Sequence, residues 1–142
     1  MIILAVDYGE SRTGIAVCDK NEMLATPVSV ITQTDAGVLA KEIAAVAAER
    51  KAELVVVGLP KNMDGTEGER AIKSRELARL ITKKSEIETV MWDERLTTVS
   101  AHYVLNDTNT RGKKRKAVVD AVAASLILQS YIDYRRNTNA EK

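Results

Sequence analysis

The chain has 142 residues, a formal net charge of +1, 45% hydrophobic residues and only 4% aromatic ones. That length suits one domain with a core of Val, Ile, Leu and Ala and excludes a second domain of ordinary size. The near-neutral balance leaves attraction to a polyanion to local charge alone, and a single cysteine, Cys18, excludes an internal disulfide.

The N-terminus enters MIILAVDYG directly, without a basic region or a small-residue cleavage site. No apolar stretch reaches the ~18 residues of a membrane span, so a cytoplasmic protein with no membrane partner is expected. Residues 2–7 (IILAVD) read as a buried strand and 13–19 (TGIAVCD) as its hairpin partner. Residues 23–31 (MLATPVSVI) read as a third strand, at an edge because of Pro27. Residues 36–50 are an Ala-rich helix capped by Asp35, with Leu39, Ile43, Val46 and Ala47 inward. Residues 53–59 (ELVVVGL) form a strand of the buried, parallel kind, followed by a loop, 60–68. Residues 69–84 are an amphipathic helix with Ile72, Leu77, Leu80 and Ile81 inward, and 87–92 are a fifth strand. A short helix over 98–105, capped by Thr97, precedes a polar segment, 106–114, and a last helix, 115–134. The domain is expected to span 1–135, with a disordered tail over 136–142.

A meander followed by alternating strands and helices implies an α/β fold. Its sheet is mixed and five-stranded, in the order 3-2-1-4-5, with the first three strands antiparallel and helices on both faces. Strand one is then central, and ligands gather outside the carboxyl ends of such strands. Two apolar runs deliver acids there: IILAVD ends at Asp7, and ETVMWDE ends at Asp93 and Glu94. A third run, AVVDAVAASLIL over 117–128, carries a lone charge, Asp120, in a helix expected to pack into the interior. A carboxylate there is costly unless a cation meets it, and hard divalent cations take such oxygen ligands. The plain alternatives are a strand-end turn acid for Asp7, a partner of Arg95 or Arg12 for Glu94, and an ion pair with Arg115 or Lys116 for Asp120.

Four motifs together resemble the YqgF family of RuvX-like proteins: DYGESRTGIAV at 7–17, GLPKNMDGTEG at 58–68, WDERLTT at 92–98 and KRKAVVDAVAA at 114–124. The resemblance covers roughly residues 2–134. It implies a ribonuclease H-like fold and a metal-dependent nuclease with two Mg²⁺ or Mn²⁺ ions, whose catalytic and metal-binding acids are Asp7, Glu94 and Asp120. Glu94 is preferred to Asp93 on the resemblance alone. The implied role is processing of the 5′ end of pre-16S ribosomal RNA. Holliday-junction resolution and a nucleic-acid-binding module without activity are the alternatives. RuvC resolvases place an acid at the end of the fourth strand and another one turn further along the last helix. This chain has Gly58-Leu59 and Ala123-Ala124 there.

Arg12, Lys61 and Asn62 lie in loops at the same edge and are candidate contacts to a nucleic-acid backbone; for Lys61 and Asn62 the alternative is turn formation. Arg111, Lys113, Lys114, Arg115 and Lys116 form a basic run ahead of Asp120, the pattern expected for phosphate binding to structured nucleic acid, precursor rRNA or branched DNA. The cations of 69–84 read as a solvated face, Thr97 and Thr98 as helix caps, and His102 as a surface or packing residue. Nothing in the sequence specifies a dimer, so a monomer or a weak dimer is expected. An ATP-binding, actin-like reading of the first motif needs two such domains, which 142 residues do not provide.

Overall fold

The computed structural model describes residues 1–97 and 112–140, with side chains over 1–97 and 119–138. The predicted helix 98–105, Thr98, His102 and Arg111 lie outside the described residues, as do the side chains of Lys113, Lys114, Arg115 and Lys116.

The strands are β1 (Ile3–Asp7), β2 (Arg12–Cys18), β3 (Ala25–Thr32), β4 (Leu54–Leu59) and β5 (Glu88–Asp93), joined in one sheet of order β3-β2-β1-β4-β5. β1 pairs antiparallel with β2 and parallel with β4; β5 is parallel to β4. Pro27 lies on the edge strand, where its missing N–H is harmless, and the register shifts there opposite Ile15 and Ala16. The third strand starts two residues later than the sequence predicts. The backbone N–H groups of Met23 and Leu24 both donate to Asp19 Oδ1, which closes a turn around them.

The helices are α1 (Ala36–Glu49), α2 (Glu69–Ser85) and α3 (Gly112–Ala140). Asp35 caps α1 as expected, accepting from Val38 N at 2.9 Å. α1 and α2 cover one face of the sheet and α3 the other. Strand alternation divides β1 between them: Leu4 and Val6 pack in the α1/α2 core, Ile3 and Ala5 in the α3 core. One inward position is corrected. Ile72 is 62% exposed, because the buried stripe of α2 steps through Ala71, Ser74, Leu77, Ala78 and Ile81, one residue away from it. Val46 and Leu80 are half-buried and pack against the α1/α2 core, and Ala40 is buried in it.

The last helix is also less interior than its composition implies. Among the described residues of α3, Ala124, Ile127, Leu128 and Ile132 are buried and the rest are half-buried or exposed. It runs through Ala140, into residues that the sequence reading assigns to a tail. Tertiary anchors explain the extension: Arg135 Nε donates to Glu22 Oε1 at 2.7 Å and Arg136 to Glu22 O at 3.2 Å. Further up, Gln129 Oε1 accepts from Ala25 N at 2.9 Å, and Trp92 Nε1 donates to Ser130 Oγ at 3.2 Å. These bonds fix α3 against β3 and β5.

Gly14 lies where α3 crosses β2 in close backbone contact. A Cβ there would lie 1.9 Å from the backbone oxygen of Asp120. Gly14→Ala is therefore expected to destabilise the fold by about 1–3 kcal/mol, the usual cost of forcing extra volume into a packed site. A shifted urea midpoint measures it.

Candidate active site

Strand alternation continues past the core. Asp7 follows Ile3 and Ala5, Gly58 follows Leu54 and Val56, and Arg12 and Gly14 precede Ala16 and Cys18, so all four face α3. The registers Leu59↔Asp93 and Val6↔Val57 bring the carboxyl ends of β1, β4 and β5 to one edge. Beyond Asp93 the chain turns into a 3-10 turn, Glu94–Leu96.

That turn separates the two neighbouring acids. Asp93 caps the turn and faces Arg95: Oδ1 accepts from Arg95 N at 2.9 Å, and Oδ2 accepts from Arg95 Nη2 at 2.8 Å. These bonds hold its carboxyl below the usual range. Glu94 instead lies beside Asp7, near enough for its charge and hydrogen bonding to act on that carboxyl. Gly58 makes the room, because a Cβ at that position would come within 2.6 Å of Glu94 Oε1. Asp7 thus has Glu94 as its acidic neighbour, while Asp93 is engaged by Arg95. Arg95, weighed in the sequence as a partner of Glu94, is engaged by Asp93.

Asp7 carries the strongest electrostatic signature among the described residues. Burial, then the charge and hydrogen bonding of Glu94, then the charge of Asp120, push its carboxyl up from 3.8 to about 7, against a smaller opposing pull from Arg70. Three acids from β1, the turn after β5 and α3 therefore share one neighbourhood. Among the described residues Asp120 pairs with Arg12, Nε to Oδ2 at 3.2 Å, while the side chains of Arg115 and Lys116, the partners that the sequence suggests, lie outside the described residues. The pair is close but poorly aligned, and neither atom makes a hydrogen bond among the described residues.

The other candidate contacts divide. Arg12 lies at the acid cluster. Asn62 shapes its own loop: its side-chain amide donates to Thr66 Oγ1 at 2.9 Å and its backbone N–H to Thr66 O. Lys61 bridges to Glu67 across the same loop, and its charge is felt by Glu67 and Asp93. Three of the six α2 cations are paired on the exposed face, through Lys73–Glu69, Arg75–Glu67 and Arg79–Glu76. Thr97 has extended backbone, and its hydroxyl has no hydrogen-bond partner among the described residues. The sequence reading missed Gly14 and Gly58 as site residues. Each lies inside a motif it quoted, but only the packing partner across the sheet shows why a side chain is excluded.

Do these residues suit a hard divalent cation? Among the described residues, no three Asp, Glu, His or Cys side chains are arranged to hold a metal ion as they stand. The donor set nevertheless fits chemically. All three groups are hard oxygen donors. Glu94 raises the Asp7 carboxyl by charge and hydrogen bonding, and Asp120 Oδ2 lacks a hydrogen bond among the described residues. Closing a cage requires Asp120 to leave Arg12.

The RuvX family model, described as a Holliday junction resolvase, matches residues 1–134. A protein of Agathobacter rectalis named "Putative pre-16S rRNA nuclease" is 38% identical over 99% of this chain and 100% of its own length. One of the same name from Acetivibrio thermocellus is 42% identical over 94% of this chain and 96% of its own. Among solved structures, Thermus thermophilus RuvC bound to a Holliday junction substrate superposes with a TM-score of 0.63 at 13% identity, over 97% of both chains. The fowlpox virus resolvase with junction DNA reaches 0.55 at 13% identity, over 94% of this chain and 98% of that one. These two likenesses establish the ribonuclease H-like fold.

The elevated Asp7 value has a direct consequence for stability. Folded Asp7 keeps its proton to about pH 7, whereas an unfolded aspartate releases it near 4. Between those values the folded chain binds more protons, so stability falls as pH rises through the window and levels off above it. The carboxylates with lowered values, Asp19, Glu22, Asp64, Glu67, Glu76 and Asp93, act in the opposite sense, losing their contribution as pH falls through the ordinary carboxylate range and below it. Denaturation in metal-free buffer is expected to show lower stability at pH 8 than at pH 5, and Asp7→Asn to flatten the difference. An unchanged slope in the variant counts against the strained acid pair.

Proposed function

The chain belongs to the RuvX family, and on that premise we propose that it is a metal-dependent endonuclease that processes the 5′ end of precursor 16S ribosomal RNA. The observation that carries this reading is the convergence of Asp7 and Glu94, with Asp120 close by, at the carboxyl edge of the sheet. Further support comes from the curated relatives, full-length matches whose names specify that substrate.

Asp7, Glu94 and Asp120 are the residues that would hold Mg²⁺ or Mn²⁺. When bound, such ions polarise the scissile phosphate and make a water nucleophilic at neutral pH, most effectively as a pair. The protein's own contribution is positional. The ends of β1 and β5 present two carboxylates to one point, and the α3 anchors carry the third over them. Arg12 stands within 3.2 Å of Asp120 and can exchange that carboxylate for phosphate oxygens, which a guanidinium binds in bidentate fashion. Trp92 is packed against Tyr131 and Tyr134 and is not available for base stacking, which favours recognition of backbone and shape.

A second reading, cleavage of four-way DNA junctions, is favoured by the description of the family model. It requires a two-fold dimer that cuts symmetrically. Both substrates belong in one assay. The purified protein is expected to shorten a precursor 16S RNA in Mg²⁺ or Mn²⁺ and to leave a four-way junction intact. Asp7→Asn, Glu94→Gln and Asp120→Asn should each lower cleavage by more than the roughly 10–100-fold that loss of an outer-shell partner costs. Cleavage of the junction alone supports the second reading. Retained RNA cleavage by Asp7→Asn defeats the catalytic assignment.

A further inference from the structure

Most of this molecule's arginines are neutralised at home. Of those whose side chains are described, all but Arg50 and Arg70 form an ion pair with a carboxylate among the described residues. The two exceptions sit at opposite ends of the sheet. Arg50 caps the carboxyl end of α1, just before β4 begins beside Ile3, and so lies at the amino edge of β1. Arg70 is in the first turn of α2, immediately after the loop that leaves the carboxyl end of β4. It is exposed and shares a shallow notch with Tyr8, Gly9, Glu10 and Lys73. Tyr8 and Gly9 directly follow Asp7. Lys73 is taken by Glu69 at 3.3 Å, which leaves Arg70 as the uncommitted cation of the notch.

A lone arginine beside a carboxylate cluster ordinarily pairs with it. Arg70 is near enough for its charge to act on Asp7, yet it forms no salt bridge there. Arg70 is exposed and belongs to α2, which covers the α1/α2 side of the sheet, while Arg12 pairs with Asp120 of α3 on the other side. A nucleic-acid strand crossing the acids would meet one cation on each flank.

We propose that Arg70 is a phosphate-contact residue, holding a backbone phosphate of the bound polynucleotide on the α2 flank of the acid cluster. This rests on the nuclease reading and adds to it the direction in which the strand crosses the sheet edge. The contact is with phosphate, common to RNA and DNA, and carries no sequence information.

Binding of fluorescent precursor RNA and of a four-way DNA junction, each measured by anisotropy in EDTA over a salt series, tests the proposal without cleavage. Arg70→Ala is expected to raise Kd roughly three- to tenfold across sequences and to reduce the salt slope by about one. Arg70→Lys should restore most of the slope, since the charge is kept. In cleavage assays Arg70→Ala should raise KM more than it lowers kcat, the mark of a contact made before the chemical step. Arg50→Ala, with the same charge change at the opposite edge, should leave both unchanged. If Arg70→Ala binds as the wild type does, or if Arg50→Ala weakens binding equally, the proposal is overturned and the nuclease reading stands. If the wild-type protein binds neither polynucleotide, the nuclease reading falls first.

Discussion

Carboxylates repel, and this fold presses two of them together. Asp7 ends a strand buried on both faces, and Glu94 opens the turn that ends another, two strands away. The strand between them would ordinarily keep such side chains apart. It carries glycine at the level where they meet, and the absent side chain lets Glu94 reach across. The result is a half-buried acid pair with more negative charge than the protein compensates. Only a proton or a cation relieves it, and near neutral pH the proton is already leaving. A site built this way is poor for stability and well suited to capture of a hard cation.

The third acid depends on long-range fixing. Asp120 sits where α3 crosses β2, at a backbone separation that only glycine at position 14 permits. The helix is held there by side chains far from the acid: Gln129 on the start of β3, Ser130 on Trp92, and Arg135 on Glu22. Glu22 also receives the N-terminal ammonium at 3.1 Å, so the chain's first residue joins the same clamp. Arg12 then keeps Asp120 in an imperfect ion pair. Such a pair costs little to break, because its hydrogen-bonding capacity was never used. The described structure thus brings Glu94 to Asp7 and holds Asp120 nearby through Arg12.

Much of this was legible before any coordinates. The strand order followed from a meander succeeded by two crossovers, and the acid positions followed from where apolar runs end. Pro27 announced the edge strand and Asp35 the cap of α1. What escaped the sequence was information carried by a partner across the fold. Periodicity placed Ile72 inward because it is apolar, although the stripe that meets α1 runs one residue to its side. The run 117–128 looked wholly interior because composition cannot say that only one face of a helix meets the sheet. Asp93 and Glu94 are adjacent in sequence and could be told apart only by the 3-10 turn, which points one at Arg95 and the other at Asp7. Arg12 was expected to meet phosphate and not to hold Asp120, since no local rule pairs residues a hundred positions apart. The two glycines that admit α3 and Glu94 carry no periodic signal at all.

The most direct test of the central claim, that Asp7, Glu94 and Asp120 form one cation site, is anomalous scattering from crystals soaked in Mn²⁺. The account predicts a peak about 2 Å from carboxylate oxygens of Asp7 and Glu94, with Asp120 turned toward it and separated from Arg12. Saturating Mn²⁺ with no peak at this edge, and the Arg12–Asp120 pair still closed, would contradict it.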